Sequence, residues 1–384
     1  DLHRVDRRQR QMCIRDRAEY NGSSVVIYYV DGENGNDSNA GTSTGAAWDT
    51  IQKAFDKIAD ATIVDGDEVR IMKTTDDATH YGISAKLTCT WVNREVIING
   101  ANSSGVVDGT IVEINGDGLD GSTPMMEVSV QTIDHTHFTH LKFNAADVAQ
   151  HCVECTTTNS HQVCFTNCQF TSATDHGVYT NNNANYWNFI NCRADNNGGS
   201  GIEHQSSNYG TYYKCLFDNN AGDGLRCGVT AIITECVFFN NGDDGAYVNN
   251  AAAKVLNCVF DNNASDGLYI TGSGQSLVMN CIYTNNTAYG LKVGSGTETR
   301  QFYNAFYGNG NDSWYTTGTV HLSMYNYLDD VTTFWGVTAD FDFTPNPASS
   351  VIGAGMPKQY RFFGATASDI GLDKWVNTET ISVF

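Results

Sequence analysis

Cys236-Val237-Phe238-Phe239-Asn240-Asn241-Gly242-Asp243-Asp244-Gly245-Ala246-Tyr247 is one of a set of near-copies. Cys215-Leu216-Phe217-Asp218-Asn219-Asn220 precedes it in the same grammar, and Cys258-Val259-Phe260-Asp261-Asn262-Asn263 follows it. Cysteines stand at 168, 192, 215, 236, 258 and 281, at intervals of 24, 23, 21, 22 and 23 residues. Glycines stand at 177, 201, 224, 245, 267 and 290, always nine residues after the matching cysteine. Leu141 and Ala305 extend the cysteine column by one turn at each end. Aromatic or apolar residues lie two after each cysteine (Phe170, Ala194, Phe217, Phe238, Phe260, Tyr283) and three before it (Phe165, Phe189, Tyr212, Ile233, Val255, Val278). Asn doublets run from Asn196-Asn197 to Asn285-Asn286.

A period near 23 residues is too short for a propeller blade, and its apolar spacing of two excludes helical repeats. It fits one coil of a parallel β-helix, in which strands of successive coils pair about 4.8 Å apart and like residues stack. The Asn doublets then sit at a coil corner, where each amide can bond its equivalents above and below.

The chain here resembles the right-handed parallel β-helix proteins of the pectin-lyase-like superfamily of bacteria and phages. Tyr28-Tyr29-Val30-Asp31-Gly32, Asn36-Asp37, Gly41-Thr42, Trp48 and Thr50-Ile51-Gln52-Lys53-Ala54 look like that family's N-terminal cap. Asp49 to Ile58 reads as an amphipathic helix plugging the open end of the core, and Gly66-Asp67-Glu68-Val69-Arg70-Ile71 as the first coil. Phe341-Asp342-Phe343-Thr344, Ile352-Gly353-Ala354-Gly355 and Asp369-Ile370-Gly371 resemble the closing tail of secreted members. The expected fold is all-β, a right-handed parallel β-helix solenoid with an N-terminal capping helix and an irregular C-terminal tail. The boundaries are a disordered or artefactual tail over 1–17, a cap over 18–65, the β-helix over 66–312 and a tail laid along the solenoid over 313–384.

The chain has 384 residues with 37 Gly, 38 Asn, 12 Cys and only 4 Pro, and a formal charge of −21. That balance argues against nucleic acid as a partner, since a phosphate backbone selects clustered Lys and Arg. The longest apolar run, Val25 to Val30, is far short of a membrane span. Six arginines fall within Asp1 to Arg17, where Arg10-Gln11-Met12-Cys13-Ile14-Arg15-Asp16-Arg17 resembles translated adapter sequence.

The cysteine column reads as interior packing, because in-register thiols point the same way and suit a disulfide dihedral badly. His151, Cys152, Cys155, His161, Cys164 and Cys168 form a denser group whose spacing also permits zinc or a disulfide. Asp31, Asn34, Asn36 and Asp37 in the cap permit calcium or a plain turn. His204, three residues past its glycine, is expected inward as a core histidine.

Residues two past each glycine point outward: Tyr179, Glu203, Arg226, Tyr247, Tyr269 and Lys292. His176, Asp223, Asp244 and Asp266 lie just before the glycines. Tyrosines with charged groups suit a polysaccharide, with Tyr179, Glu203, Tyr247, Tyr269 and His176 as substrate contacts. Asp223, Asp244 and Asp266, stacked at coil spacing, repel one another unless a cation joins them, so calcium is the expected cofactor. Arg226 or Lys292 is then a base abstracting the proton beside a uronate carboxylate, as in a lyase. An acidic pair, Asp243 or Asp244 with Asp223 or Asp266, would serve a hydrolase instead as acid and base, and Asp-Gly is also ordinary turn chemistry. Gly242-Asp243-Asp244-Gly245 and His176-Gly177 superficially recur in polygalacturonases, but in the opposite order. The alternatives to a secreted or surface-acting lyase are a non-catalytic adhesin or phage tailspike on a cell or virion surface, and a structural surface protein.

One residue past each cysteine, Leu216, Val237, Val259, Ile282 and Phe306 form an apolar outward stripe. Its expected cover is the aromatic segment holding Trp314, Tyr315, Tyr325, Tyr327, Phe334 and Trp335, or identical subunits in a homotrimer.

Overall fold

The computed structural model describes residues 25–328, apart from 93, 129–134, 156–161, 182–184, 206–208, 229, 250–251, 312–313 and 325–326. The N-terminal arginine cluster and the tail motifs beyond 328 lie outside the described residues, as do Tyr325, Phe334, Trp335 and His161. By its internal contacts the chain falls into two units, Asp1–Arg193 with Ser206–Asn208, and Ala194–Gln205 with Tyr209–Phe384. Both are built from the same three kinds of short parallel strand, one before the cysteine, one after it and one after the glycine, and the whole is a parallel β-helix solenoid.

The first unit opens with Ile27–Val30, paired in parallel with Glu68–Met72. Between them lies the capping helix Ile51–Ala59, whose N-cap Thr50 accepts a hydrogen bond from the Lys53 amide. Ile51, Ala54, Phe55 and Ile58 are its buried face, and Phe55 packs edge-on to Trp91 with ring centroids 5.1 Å apart. Stacking then takes over: Phe138, Phe165 and Phe189 lie face to face at 5.1 and 5.5 Å. Lys142 pairs with Gln169, which sets Leu141 level with Cys168 as expected. The Asn/Asp-rich cap segment is turn chemistry. Asp31 accepts the amides of Glu33 and Asn34, and Asp37 accepts those of Asp49 and Thr50.

In the second unit Phe217, Phe238, Phe260, Tyr283 and Phe306 form one ring stack at 4.9, 4.7, 4.9 and 4.9 Å. The buried amides of the Asn doublets form a second ladder: Asn197, Asn220, Asn241, Asn263 and Asn286 each donate to the next at 2.8–3.0 Å, ending on Asn309. Asn241 also donates to the Phe217 carbonyl, and its Oδ1 also accepts the Asn220 amide N–H. No polar atom of the buried amide is left idle, which is the condition for burying it at all. The first residue of each doublet, such as Asn240 at φ 56°, occupies the left-handed region, which Asn tolerates better than other side chains.

The cysteines are interior thiols. All eleven described are free and buried, and Cys236 donates from Sγ to the Tyr212 carbonyl at 3.4 Å. Cys152 does likewise to the Phe143 carbonyl, and among the described residues its group does not converge into a metal site. His204 is inward and fully buried, with its ring bonded to the Tyr212 hydroxyl at 2.9 Å.

Three expectations are corrected. Ala305 pairs with Ile282 and Phe306 with Tyr283, so the cysteine column continues through Asn304, whose side chain accepts the Cys281 amide and donates to the Val278 carbonyl. Phe306 is therefore core rather than stripe. The coils also continue past residue 312, because Trp314–Thr316 pairs with Leu291–Val293 and Tyr327–Leu328 with Ala305–Tyr307. Tyr315 lies opposite Lys292 and stacks on Tyr289, so it extends the strands after the glycines instead of covering the stripe. Within one chain Val237, Val259 and Ile282 of the stripe are at most 1% exposed, while Leu216 is partly exposed. Burying those three requires no second subunit.

A Cβ at Gly245 would stand 2.5 Å from the Gly267 carbonyl oxygen and 2.9 Å from Asn263 Nδ2, so the glycine column sets how closely coils approach. Gly245→Ala should cost about 2–4 kcal/mol in denaturant unfolding, and Asn241→Ala a similar amount, by stranding its neighbours' buried hydrogen bonds. Losses under about 1 kcal/mol would contradict this. Thiol alkylation of the native protein should leave the described cysteines unmodified until unfolding, since a buried thiol has little thiolate.

Candidate functional site

The strands after the glycines place their outward residues in one row in the second unit. Glu203 pairs with Arg226, Arg226 with Tyr247, Tyr247 with Tyr269, and Tyr269 with Lys292. The aspartates before the glycines form a parallel ladder. Asp223 Oδ1 accepts the Asp244 amide at 3.0 Å, Asp244 Oδ1 that of Asp266 at 2.9 Å, and Asp266 Oδ1 that of Tyr289 at 3.0 Å. One oxygen of each thus fixes the next coil, and the other is free for different work.

That second oxygen distinguishes them. Asp223 pairs with Arg226 at 3.3 Å, and Asp266 with Lys292 at 2.9 Å. Asp244, between them, makes no such ion pair among the described residues; the Ser265 hydroxyl bonds to it. Burial, with the neighbouring charges of Asp223 and Asp266, pushes the Asp244 carboxyl up to about 7. Burial and the charge of Asp243 push Asp223 up to about 6.

Calcium was expected on Asp223, Asp244 and Asp266. The group that converges is Asp223, Asp243 and Asp244, with one ligand atom from each inside a common 4.8 Å. Lys292 occupies Asp266, whereas Asp243 reaches back to the cluster from the bend, where strand alternation does not apply. Three hard oxygens, two of them on buried carboxylates, are the donor type a calcium ion takes, and the raised proton affinities of Asp223 and Asp244 express the same need for positive charge.

The two candidate bases are both engaged cations. Burial pulls Arg226 down, but Asp223 and Glu203 outweigh it and hold it above its ordinary value; Lys292 is held up in the same way by Asp266. Arg226 lies over the Tyr247 ring at 4.7 Å and Lys292 over Tyr269 at 4.2 Å. Each tyrosine therefore gives a ring face to a cation, and the two rings meet edge to face at 5.2 Å.

His176 and Tyr179 belong to the first unit, where they stack with His151 at 5.5 and 5.0 Å. Burial pushes the His151 imidazole down to about 4, keeping it neutral. In that unit the outward row is Thr88, Glu127, Glu154 and Tyr179. Glu127 is ion-paired with Lys86, and burial beside Glu127 raises Glu154. The cysteine and glycine columns start only at 168 and 177, so no periodic signal marked Glu127, Glu154 or Lys86.

Residues 226–327 match the family described as the right-handed beta helix region. The fold is the right-handed parallel β-helix. The structure of pectate lyase Pel9A superposes with a TM-score of 0.61 at 18% identity, covering 91% of this chain and 96% of that one. The A-module of Azotobacter vinelandii mannuronan C-5 epimerase AlgE6 aligns at 14% identity and TM-score 0.44, over 79% of this chain and 98% of that one. A Geobacillus virus E2 protein, ORF18, aligns at 14% identity and TM-score 0.49, over 79% and 61%. No curated protein matches the sequence. Among the described residues, no helix is long and apolar enough to cross a membrane.

Asp223 and Asp244 bind their protons more tightly in the native state than as ordinary aspartates with a value of 3.8. Between about pH 4 and 7 the native state therefore holds more protons than the unfolded chain, and stability falls as the pH rises through that window. At about 1.36 kcal/mol per pH unit, the rises from 3.8 to about 6 and about 7 bound that fall at roughly 7 kcal/mol. Asp244→Asn keeps the Oδ1 acceptor for Asp266 and should flatten the curve. An unchanged pH slope in that variant would contradict the assignment.

Proposed function

We propose that this face of the second unit binds a uronate-containing polysaccharide outside the cell and cleaves it by β-elimination, with calcium held by Asp223, Asp243 and Asp244. The observation that carries this reading is the meeting of three carboxylates within 4.8 Å beside a stacked arginine. Bound calcium would supply positive charge against the sugar carboxylate and so acidify the proton on the adjacent carbon. Lys292 pairs with a sugar carboxylate, and the edges of Tyr247 and Tyr269 bound the sugar path.

Arg226 takes the proton in this scheme. A guanidinium is a poor base while Asp223 supports its charge; a cation held at Asp223 would remove the largest of the supports that Asp223, Glu203 and Tyr247 give it. Arg226, its own proton first passed to solvent, takes the proton beside the carboxylate; the electron pair of the broken C–H bond forms the new double bond as the adjacent C–O bond breaks, and the leaving glycosidic oxygen takes a proton from water. This scheme also answers the charge of −21: a strongly acidic protein repels a polyuronate on average, so only a local patch of cations can receive one.

One observation favours a non-catalytic binding protein of the adhesin or tailspike kind: each ladder aspartate already has a structural bond to the next coil. Assays of uronate polymers for unsaturated, ultraviolet-absorbing products decide between them. Calcium should raise the rate, and Arg226→Ala should lower it at least 100-fold, or about 2.7 kcal/mol of barrier. Binding without turnover of any uronate polymer, calcium present, would leave the adhesin reading.

A further inference from the structure

In the second unit the strands after the cysteines have an outer side that does not meet water. Phe217, Phe238, Phe260 and Tyr283, the middle residue of each strand, stack in the core. The residues on either side of them therefore face away from it. Two outward columns result: Leu216, Val237, Val259 and Ile282, and beside them Asp218, Phe239, Asp261 and Thr284. Asp195 stands on the preceding strand of the same sheet. Outward residues of a bare sheet are wet. Yet in one chain by itself Val237 and Val259 are 1% exposed, and Ile282, Asp218 and Thr284 are 0% exposed. Burial of this degree on an outer face requires a second layer of chain. Among the described residues no strand or helix supplies it, because the elements packed most closely on these strands are their own neighbours in the sheet.

The chemistry of the face says what that layer carries. Over Val237, Val259 and Ile282 it has to be apolar. Over the other column it has to answer carboxylates, since Asp195, Asp218 and Asp261 are all buried. Each accepts a neighbouring amide, Asp195 from Asn196, Asp218 from Asn219 and Asp261 from Asn285, and cations complete the compensation that buried carboxylates call for. Residues 329–384 hold both kinds of side chain. Lys358-Gln359-Tyr360-Arg361-Phe362-Phe363 sets two cations among three aromatic residues, and Lys374-Trp375 adds another such pair. The segment also starts in the right place. Tyr327–Leu328 pairs with Ala305–Tyr307 and is the end strand of this sheet among the described residues, so the chain leaves the coils at one end of the covered face. From Tyr307 back to Asp195 is five coil spacings, about 24 Å, which about eight extended residues cross.

We propose that the outer face of the strands after the cysteines, from Asp195 to Tyr307, is a docking surface for residues 329–384 of the same chain, with aromatic side chains over the Val237–Ile282 column and Lys358, Arg361 and Lys374 serving the buried aspartates. The docked segment stands apart from the polysaccharide reading, which concerns the strands after the glycines. It gives the apolar stripe an occupant within the chain in place of a second subunit.

Photo-crosslinking of the full chain tests it, with p-benzoylphenylalanine in place of the outward Phe239, a change that keeps an aromatic ring. Irradiation and peptide mapping should find the cross-links within residues 329–384, in a species of monomer mass. Cross-links only to residues 25–328, cross-links only in a species of dimer mass, or none at all would overturn the proposal. Amide hydrogen exchange on the unaltered chain is the second measurement. Peptides from residues 329–384 should exchange at least about tenfold more slowly than the same peptides free in solution. Replacing Lys358 and Arg361 together by Glu, a change outside the coils, should abolish that protection while peptides from the coils exchange as before. Exchange of residues 329–384 at the free rate in the unaltered chain, or protection that survives the double replacement, would overturn it.

Discussion

Every coil of this protein sets each side chain against its own counterpart in the next, about 4.8 Å away. What a residue type can do at that distance decides where it is used. Aromatic rings stack, as in the run from Phe217 to Phe306. Primary amides suit it best, because one group can donate to and accept from its copies at once, as Asn197 to Asn286 do. Thiols suit it as small apolar volumes that give their weak donor to a backbone carbonyl. Carboxylates suit it worst.

The functional face follows from that last case. Asp223, Asp244 and Asp266 are used in the ladder for one oxygen, which holds the next coil's amide, and the charge must be answered by the other. Arg226 answers one and Lys292 another. Asp244 is answered by a proton, and Asp243 adds a further negative charge. The same rule that makes the solenoid regular therefore leaves Asp244 without a cation among the described residues. Under the proposed function, cation and substrate would bind there, beside the two cations that lie over Tyr247 and Tyr269.

The repeat made much of this legible from residues alone. Cysteine, glycine and asparagine columns gave the coil, its corners and its inward side, and the outward row from Glu203 to Lys292 lies where alternation puts it. Two kinds of detail were hidden. One is substitution within a column. Asn304 stands in for a cysteine because its amide accepts the Cys281 N–H, whereas a search for small apolar residues chooses Ala305 and slips the register by one. The other is rotamer choice. Periodicity puts Asp266 beside Asp244 but does not say that Lys292 reaches back to take it, or that Asp243 turns in from a bend. Nor does it show that the ring faces of Tyr247 and Tyr269 are given to cations.

The central claim is that protons hold together a carboxylate cluster built for a dication. Calcium titrated calorimetrically in buffers of different ionisation enthalpy counts the protons released on binding. The account predicts about one proton released per calcium near pH 6.5, falling toward none by pH 9 with affinity rising in step. Replacing both Asp243 and Asp244 by Asn should abolish the heat. Calcium binding with no proton release near pH 6.5, or none at all at millimolar calcium and pH 9, would contradict it.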